Sequence, residues 1–336
     1  MRKIAVFMAM AACAACSYGI SDQSGTGSAS KEQGTLSVTI EHERVETKAQ
    51  TDYTTVLDEE KAVNSIAVFV FDKASGILNS YKEIGSLSEE WTFSVTTGEK
   101  TVYAVLNGPD LGMVTTVSQL QQIVDDLSGS EINSTGLVMA GSGHCNVEAG
   151  KIAEPVIIVR RLVSRVVLQK ITNNVPPQYG SLTVDCVYLG NANTRQTISG
   201  TVSGKVNPDG YEDAAKTKPI GKNRVTGSCA GYLYRQADAD ISVGTSNSTK
   251  YHMYCQPSGQ DAVTCLYILA TIGNGQYYYR VPFNNGLQAN KTYSVEIEIV
   301  NLGSELPPDG DVQKGEIRAT VTMAGWDAGD SYVIQF

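Results

Sequence analysis

Near the start of the chain Leu36, Val38 and Ile40 alternate with Ser37, Thr39 and Glu41. A period of two is that of a half-buried β-strand, one face inward and one wet. The stretch runs on into residues 41–48, which are charged, lack apolar periodicity and carry Arg44 and Lys48. Such a segment is expected to be exposed and open to a trypsin-like protease. The pattern over residues 35–48 thus predicts an edge strand that packs into the fold and can later be cut away, with Leu36, Val38 and Ile40 as its buried face.

Further along, Ile66, Val68 and Val70 alternate with Ala67, Phe69 and Phe71, so both faces are apolar. That predicts a central strand covered on both sides. Asp72–Gly76 reads as a turn, with Ile77–Tyr81 returning as the hairpin partner. Trp91–Val95 and Thr101–Asn107 are further strands. The period then changes: Val117, Leu120, Ile123, Val124 and Leu127 fall at helical spacing, and Gly129 is a stop signal, predicting an amphipathic helix over 117–129. Leu137–Gly141 and Asn146–Gly150 frame an expected short hairpin. Residues 154–172 alternate again and are basic, with a bulge or corner expected at Arg160–Arg161.

The segment 173–180 holds Pro176 and Pro177 between polar residues and is the expected linker, because proline cannot join a central ladder. Beyond it lie strands at 181–189, 251–254, 264–272, 276–283, 292–300 and 316–323, and a last alternating stretch, 331–336. Gly273–Gly275 is a hairpin signal. Residues 191–250 carry no pattern that identifies a role. Short strands with glycine-rich turns on either side of one linker predict a mostly β protein. The expected architecture is two tandem β-sandwich domains, transthyretin-like or Ig-like, over 34–172 and 181–336, with one or two short helices in the first.

Composition supports a globular β protein: 42% hydrophobic residues, 32 Gly and 17 Tyr against 6 Phe. The net charge of −9, with no basic cluster interleaved with aromatics, argues against nucleic-acid binding. Arg2 and Lys3 followed by the short apolar run Ile4–Ala12 read as a signal segment over 1–15, too short to span a bilayer. Small residues before Cys16 and before Cys13 resemble a lipobox, in which the cysteine becomes the acylated (palmitate-bearing) first residue. Cys16 leaves the fuller apolar run; Cys13 has Met10 three places upstream. Residues 16–33, rich in Ser and Gly, read as a flexible tether.

Five cysteines follow the signal segment: Cys145, Cys186, Cys229, Cys255 and Cys265. No CxxC pair occurs, so neither zinc site nor disulfide framework is supported, and buried free thiols are expected. A Cys255–Cys265 pairing across a hairpin is the alternative. His144 and Cys145 are adjacent on a strand and so point to opposite faces, which rules out a nucleophile–base pair. His42 lies in the removable segment, and His252 on a tyrosine-rich strand. Asp309–Asp311 and Asn207–Gly210 place carboxylates at turns without the ligand count of a calcium loop. No catalytic motif, metal site or cofactor is expected.

The order VNSIAVFVFD, GEKTVYAVLNGP, RLVSRVVLQKIT, YYYRVPFN, LQANKTYSVEIEIVNLGS and VTMAGWDAG resembles the fimbrillin family, the type V pilins of Bacteroidales, over most of Leu36–Trp326. The resemblance implies a lipoprotein precursor carried to the outer membrane and cut by a trypsin-like protease after an Arg or Lys beyond the first strand. It further implies loss of that strand and filling of the groove by a neighbour's C-terminal strand, giving fimbriae on the cell surface. Thr47–Lys48–Ala49 stands where many members have Thr-Arg-Ala, so Arg44 and Lys48 both remain open as the cleavage residue. In the final stretch Tyr332, Ile334 and Phe336 supply three anchors for the three vacancies; Ile317, Ala319, Val321 and Met323 form a second donor candidate. Expected partners are other copies or related fimbrial subunits, an outer-membrane protease, and host or bacterial surface ligands. The alternative is a pilus tip adhesin or surface glycan-binding lipoprotein using Trp91, Tyr277, Tyr278 and Tyr279 as sugar-stacking faces.

Overall fold

Alternation over Trp91–Thr96 produces a strand whose Trp91, Phe93 and Val95 are buried and whose Thr92 and Ser94 are exposed, whereas Ile66–Phe71 and Cys265–Ala270 are buried at every position. The computed structural model describes residues 32–42, 57–84, 91–127, 136–206, 230–261, 263–305, 316–326 and 331–335. The earlier elements are β1 (Gln33–His42), α1 (Asp58–Lys61), β2 (Ile66–Asp72), β3 (Leu78–Ile84), β4 (Trp91–Thr96), β5 (Gly98–Leu106), α2 (Val117–Gln121), β6 (Val124–Asp126), β7 (Met139–Val147), β8 (Ile152–Ala153), β9 (Val156–Arg161) and β10 (Ser164–Asn173). They are followed by β11 (Leu182–Gly190), β12 (Ala192–Thr197), β13 (Val202–Val206), α3 (Ala230–Leu233), β14 (Tyr234–Ile241), β15 (Ser246–Asn247), β16 (Tyr251–Cys255), β17 (Cys265–Ile272), β18 (Gly275–Pro282), β19 (Lys291–Ile299), β20 (Ile317–Gly325) and β21 (Ser331–Gln335). The protein is mostly β, as its patterning predicts.

The first sheet runs β3-β2-β5-β7-β9-β1-β4, with β8 also beside β1. Strand β2 is the expected central strand. Its Ile66, Val68 and Val70 join a core with Leu36, Val38, Trp91, Phe93 and Val95. Its Ala67, Phe69 and Phe71 join a second core on the other face, covered by Leu120 of α2 and by Leu162. Gly76, at φ +66°, turns β2 into β3.

The second sheet runs β15-β10-β19-β20-β21, with β16 on β10; a third runs β14-β11-β17-β18; a fourth, small sheet is β13-β12-β6. A large core holds Val166 and Leu168 of β10 and Val295 and Ile297 of β19 together with Val184, Val187, Ile268 and Ala270 from the third sheet. The chain passes from first to second sheet at Leu162–Val163, next to the expected Arg160–Arg161 corner and ten residues ahead of the proline segment. That segment forms a short 3-10 turn, Pro177–Tyr179. Strands β17 and β18 pair from Ile272 and Gly275 onward, with Gly273 at φ +59° in the two-residue turn.

Two elements differ from expectation. The helix over 117–129 is one turn only. Thr116 caps it, its hydroxyl accepting from Gln119 N at 3.3 Å while Gln119 Oε1 accepts from Thr116 N at 3.2 Å. The chain then extends, and Val124–Asp126 pairs with β12. The apolar residues at helical spacing serve different layers: Leu120 enters the second core and Leu127 the large core. The hairpin expected over 137–150 is instead the continuous strand β7, paired with β5 from Met139–Leu106 to Val147–Gly98. Its glycines serve close approach, not a turn: a Cβ on Gly141 would lie 2.1 Å from Ile158 O, and one on Gly143 would lie 2.7 Å from Ile157 Cδ1.

Candidate strand-exchange site

The site is built on β1. Its alternation places Leu36 (0% exposed) and Val38 (3%) in the first core, with Ile40 partly buried against it. Thr39 and Glu41 face outward. On one side β1 pairs antiparallel with β4 over Gln33–Val38, setting Leu36 opposite Phe93 and Val38 opposite Trp91. On the other it pairs parallel with β8, Leu36 opposite Ala153, and then with β9, Ile40 opposite Ile157. The main-chain N–H of Thr39 donates to Pro155 O at 3.1 Å, bridging the step between β8 and β9.

The expectation of an edge strand is therefore corrected: β1 lies inside the sheet, with ladders on both sides. A polar outer face reflects solvent above the sheet, whereas edge position depends on partners within its plane. Among the described residues β4 has no ladder partner but β1. Its far side meets β3 through a side chain, Thr96 N donating to Asn79 Oδ1 at 3.0 Å. Taking β1 out would unpair β4 and β8, open the side of β9 away from β7, and uncover Trp91, Phe93 and Val95. The slot is also shaped at one end: Gly34 is buried, and a Cβ there would lie 2.5 Å from Val147 Cγ1 and 2.9 Å from Glu148 O.

At the other end of the chain β21 is the outer strand of the second sheet, antiparallel to β20, with Tyr332 opposite Met323 and Ile334 opposite Val321. The second donor candidate, β20, is held between β19 and β21. Its Val321 is buried, and Ile317, Ala319 and Met323 pack against the large core. Strands β1 and β21 belong to different sheets. Cys13, Cys16, Arg44, Lys48 and Phe336 lie outside the described residues, as do residues 207–210 and 309–311.

The remaining candidates take structural places. His144 is exposed, its Nδ1 3.1 Å from Thr101 Oγ1, while Cys145 packs inward against the first core. Cys145, Cys186, Cys255 and Cys265 are free thiols, so the Cys255–Cys265 alternative does not form. Burial pushes the Cys186 and Cys255 thiols up to about 12, which makes them poor nucleophiles. Burial, aided by Arg165, pushes His252 down to about 4. The sugar-stacking alternative loses its faces: Trp91, Tyr278 and Tyr279 are 2%, 0% and 1% exposed, and Tyr277 packs against the large core.

Sequence reasoning missed Glu60. This carboxylate is fully buried, its Oε2 2.7 Å from Arg165 Nη1 in an ion pair with both side chains out of water. The available signal was Arg161 and Arg165 within an apolar run, since a buried guanidinium requires an anion.

Residues 34–151 match the family model of the major fimbrial subunit protein (FimA). A search of the curated proteins finds no match. Three solved structures share the fold. A candidate cell adhesion protein from Bacteroides eggerthii has 18% identity and a TM-score of 0.67, covering 91% of this chain and 100% of its own. A fimbrilin from Porphyromonas gingivalis has 15% identity and a TM-score of 0.59, covering 88% and 98%. The tip fimbrial protein Mfa3 from Porphyromonas gingivalis, solved with a C-terminal truncation, has 14% identity and a TM-score of 0.50, covering 88% and 100%. At such identities the likeness is one of fold.

Proposed function

We propose that this chain, whose residues 34–151 match the family model of the major fimbrial subunit protein, is a fimbrillin-family structural subunit of a cell-surface fimbria, joined to its neighbours by strand exchange. One observation carries the reading: β1 fills an apolar slot between two sets of partners, and the segment leaving it contains Arg44 and Lys48. In the proposed sequence the precursor is acylated on Cys16 or Cys13 and reaches the outer membrane. A trypsin-like protease cuts after Arg44 or Lys48, β1 leaves, and β21 of another copy or a related subunit enters the slot.

The energetics favour this order. Leu36, Val38 and Ile40 each contribute roughly 1.5–3 kcal/mol when buried, with Ile40 at the low end because it is only partly covered. Their loss leaves apolar surface and unpaired strand edges, which recruit another strand. A donor leaving the outside of its own sheet gives up one ladder of five residue pairs, Ser331–Gln335 on β20. In the slot it meets partners on two sides. The role is architectural, needing no cofactor. An adhesive role would have to use surfaces other than Trp91, Tyr278 and Tyr279, which are buried.

The test is native trypsin digestion of purified precursor, with the products weighed by mass spectrometry. Release of one N-terminal piece ending at Arg44 or Lys48, followed by oligomers, is expected. A cleaved chain that has lost the piece yet stays monomeric overturns the proposal. Deleting Tyr332–Phe336 should leave cleavage intact and stop growth.

A further inference from the structure

Glu60 sits in the single turn α1, and its carboxylate gathers groups from distant parts of the chain. Oε2 pairs with Arg165 Nη1 of β10 at 2.7 Å and accepts from Leu57 N at 2.8 Å and from Trp326 Nε1 at 3.3 Å. Oε1 accepts from Tyr254 OH of β16 at 2.6 Å. The main-chain oxygen of Glu60 accepts from Arg161 Nη2 at 3.3 Å. The Arg165 guanidinium is steadied by its Nε–H donating to Thr292 Oγ1 of β19 at 2.9 Å.

Trp326 is the centre of the cluster. Its ring stacks on Tyr254 at 5.8 Å and lies under the guanidiniums of Arg165 and Arg161, at 4.8 and 5.0 Å. The main-chain N–H of Trp326 donates to Asn290 O at 3.2 Å, and the residue is 0% exposed. Buried charges held this way are costly to separate, because losing one partner leaves the other uncompensated out of water.

The places of the two residues in the chain give the cluster its meaning. Glu60 follows the segment that carries Arg44 and Lys48, so it stays with the subunit after processing at either residue. Trp326 comes directly after β20 and ahead of β21. None of the contacts just named comes from β1, so removing β1 breaks none of them.

We infer that Glu60 is a positioning residue for strand donation: it fastens the root of the exchanging C-terminal strand, at Trp326, to the N-terminal end that remains after processing. The inference rests on the strand-exchange reading and sharpens it. Residues up to Trp326 stay seated in their own subunit, β20 is excluded as the donor, and β21 is the strand that moves. In a fibre, tension arriving through a donated β21 enters its own subunit at Trp326, where the ion pair and the stacked rings receive it.

Hydrogen exchange on the uncleaved monomer tests the anchor independently of assembly. In E60Q the amides of β20 are expected to exchange on the order of a hundredfold faster, the cost of breaking a buried pair, while those of β2 and β5 change less than about twofold. W326F, which keeps an aromatic ring but removes the indole N–H and part of the ring system, should give at least about a tenfold increase confined to β20 and serves if E60Q does not fold. Uniform acceleration across the molecule, or none in β20, overturns the inference and leaves Glu60 a stabilising residue only. Faster β20 exchange in E60Q or W326F, together with a wild-type chain that stays monomeric after trypsin, would instead retain the anchor and overturn strand exchange.

Discussion

Leu36→Ala should weaken the precursor and leave the fibre untouched. Leu36 is 0% exposed, opposite Phe93 on one side and Ala153 on the other. A leucine-to-alanine change in a core costs about 2–5 kcal/mol, more where the surroundings cannot close in. Ladders on both sides of β1 restrain such collapse, so about 3–4 kcal/mol is expected here. Thr39→Ala, on the exposed face of the same strand, should cost within about 0.5 kcal/mol. Urea denaturation of the uncleaved chains measures both. After trypsin removes β1 the altered residue is gone, and fibres grown from Leu36→Ala precursor should match wild type in their resistance to dissociation. A loss below about 1 kcal/mol in the precursor, or an equal weakening of the fibre, would refute the claim that Leu36 serves only the strand that is discarded.

Other expectations follow from single residues. Gly34→Val drives side-chain atoms into Val147 and the Glu148 carbonyl, so it should cost about 1–3 kcal/mol and speed release of the N-terminal piece in timed trypsin digests. Asp125 is buried and its carboxyl is pushed up by that burial to about 6. A carboxyl with a raised folded pKa supports the fold below its unfolded value and loses that support as pH rises toward 6. Asp125→Asn should therefore flatten the fall in stability between about pH 4 and 6, read from urea midpoints across that range. His252, pushed down to about 4, has the opposite sign: its contribution is present above about pH 6.5 and drains away as pH falls through 4. Its imidazole NMR signals should titrate near the lower value, and titration near 6.5 would contradict the burial described.

The faces of the strands were legible in the sequence; their neighbours were not. Alternation in β4 and the doubly apolar β2 reported which side chains are inside, because burial repeats with the period of the pleat. The same alternation in β1 carried no information about its ladder partners, which lie in the plane of the sheet and come from β4, β8 and β9, far along the chain. The helix expected over 117–129 failed for a related reason. Its apolar spacing fits one helical face, yet Leu120 and Leu127 are drawn into two different cores and the chain must extend between them. Gly141 and Gly143 lie where a hairpin was expected, but their reason is β9: its backbone passes too close for a Cβ at Gly141, and its Ile157 side chain too close for one at Gly143. The Glu60 cluster joins residues 105 and 266 positions apart; no local pattern encodes such a contact, although two arginines in an apolar run hinted that an anion must be near.

The most direct test of the central claim is hydrogen exchange in β4, whose ladder partner among the described residues is β1. A precursor lacking Tyr332–Phe336 is cleaved with trypsin and freed of its N-terminal piece, so that the slot is open and the chain has no strand to donate. Its Trp91–Thr96 amides should lose protection, and should regain it when full-length cleaved copies are added. Protection that never falls, or that falls and is not restored by those copies, would contradict strand exchange as the way this subunit builds a fibre.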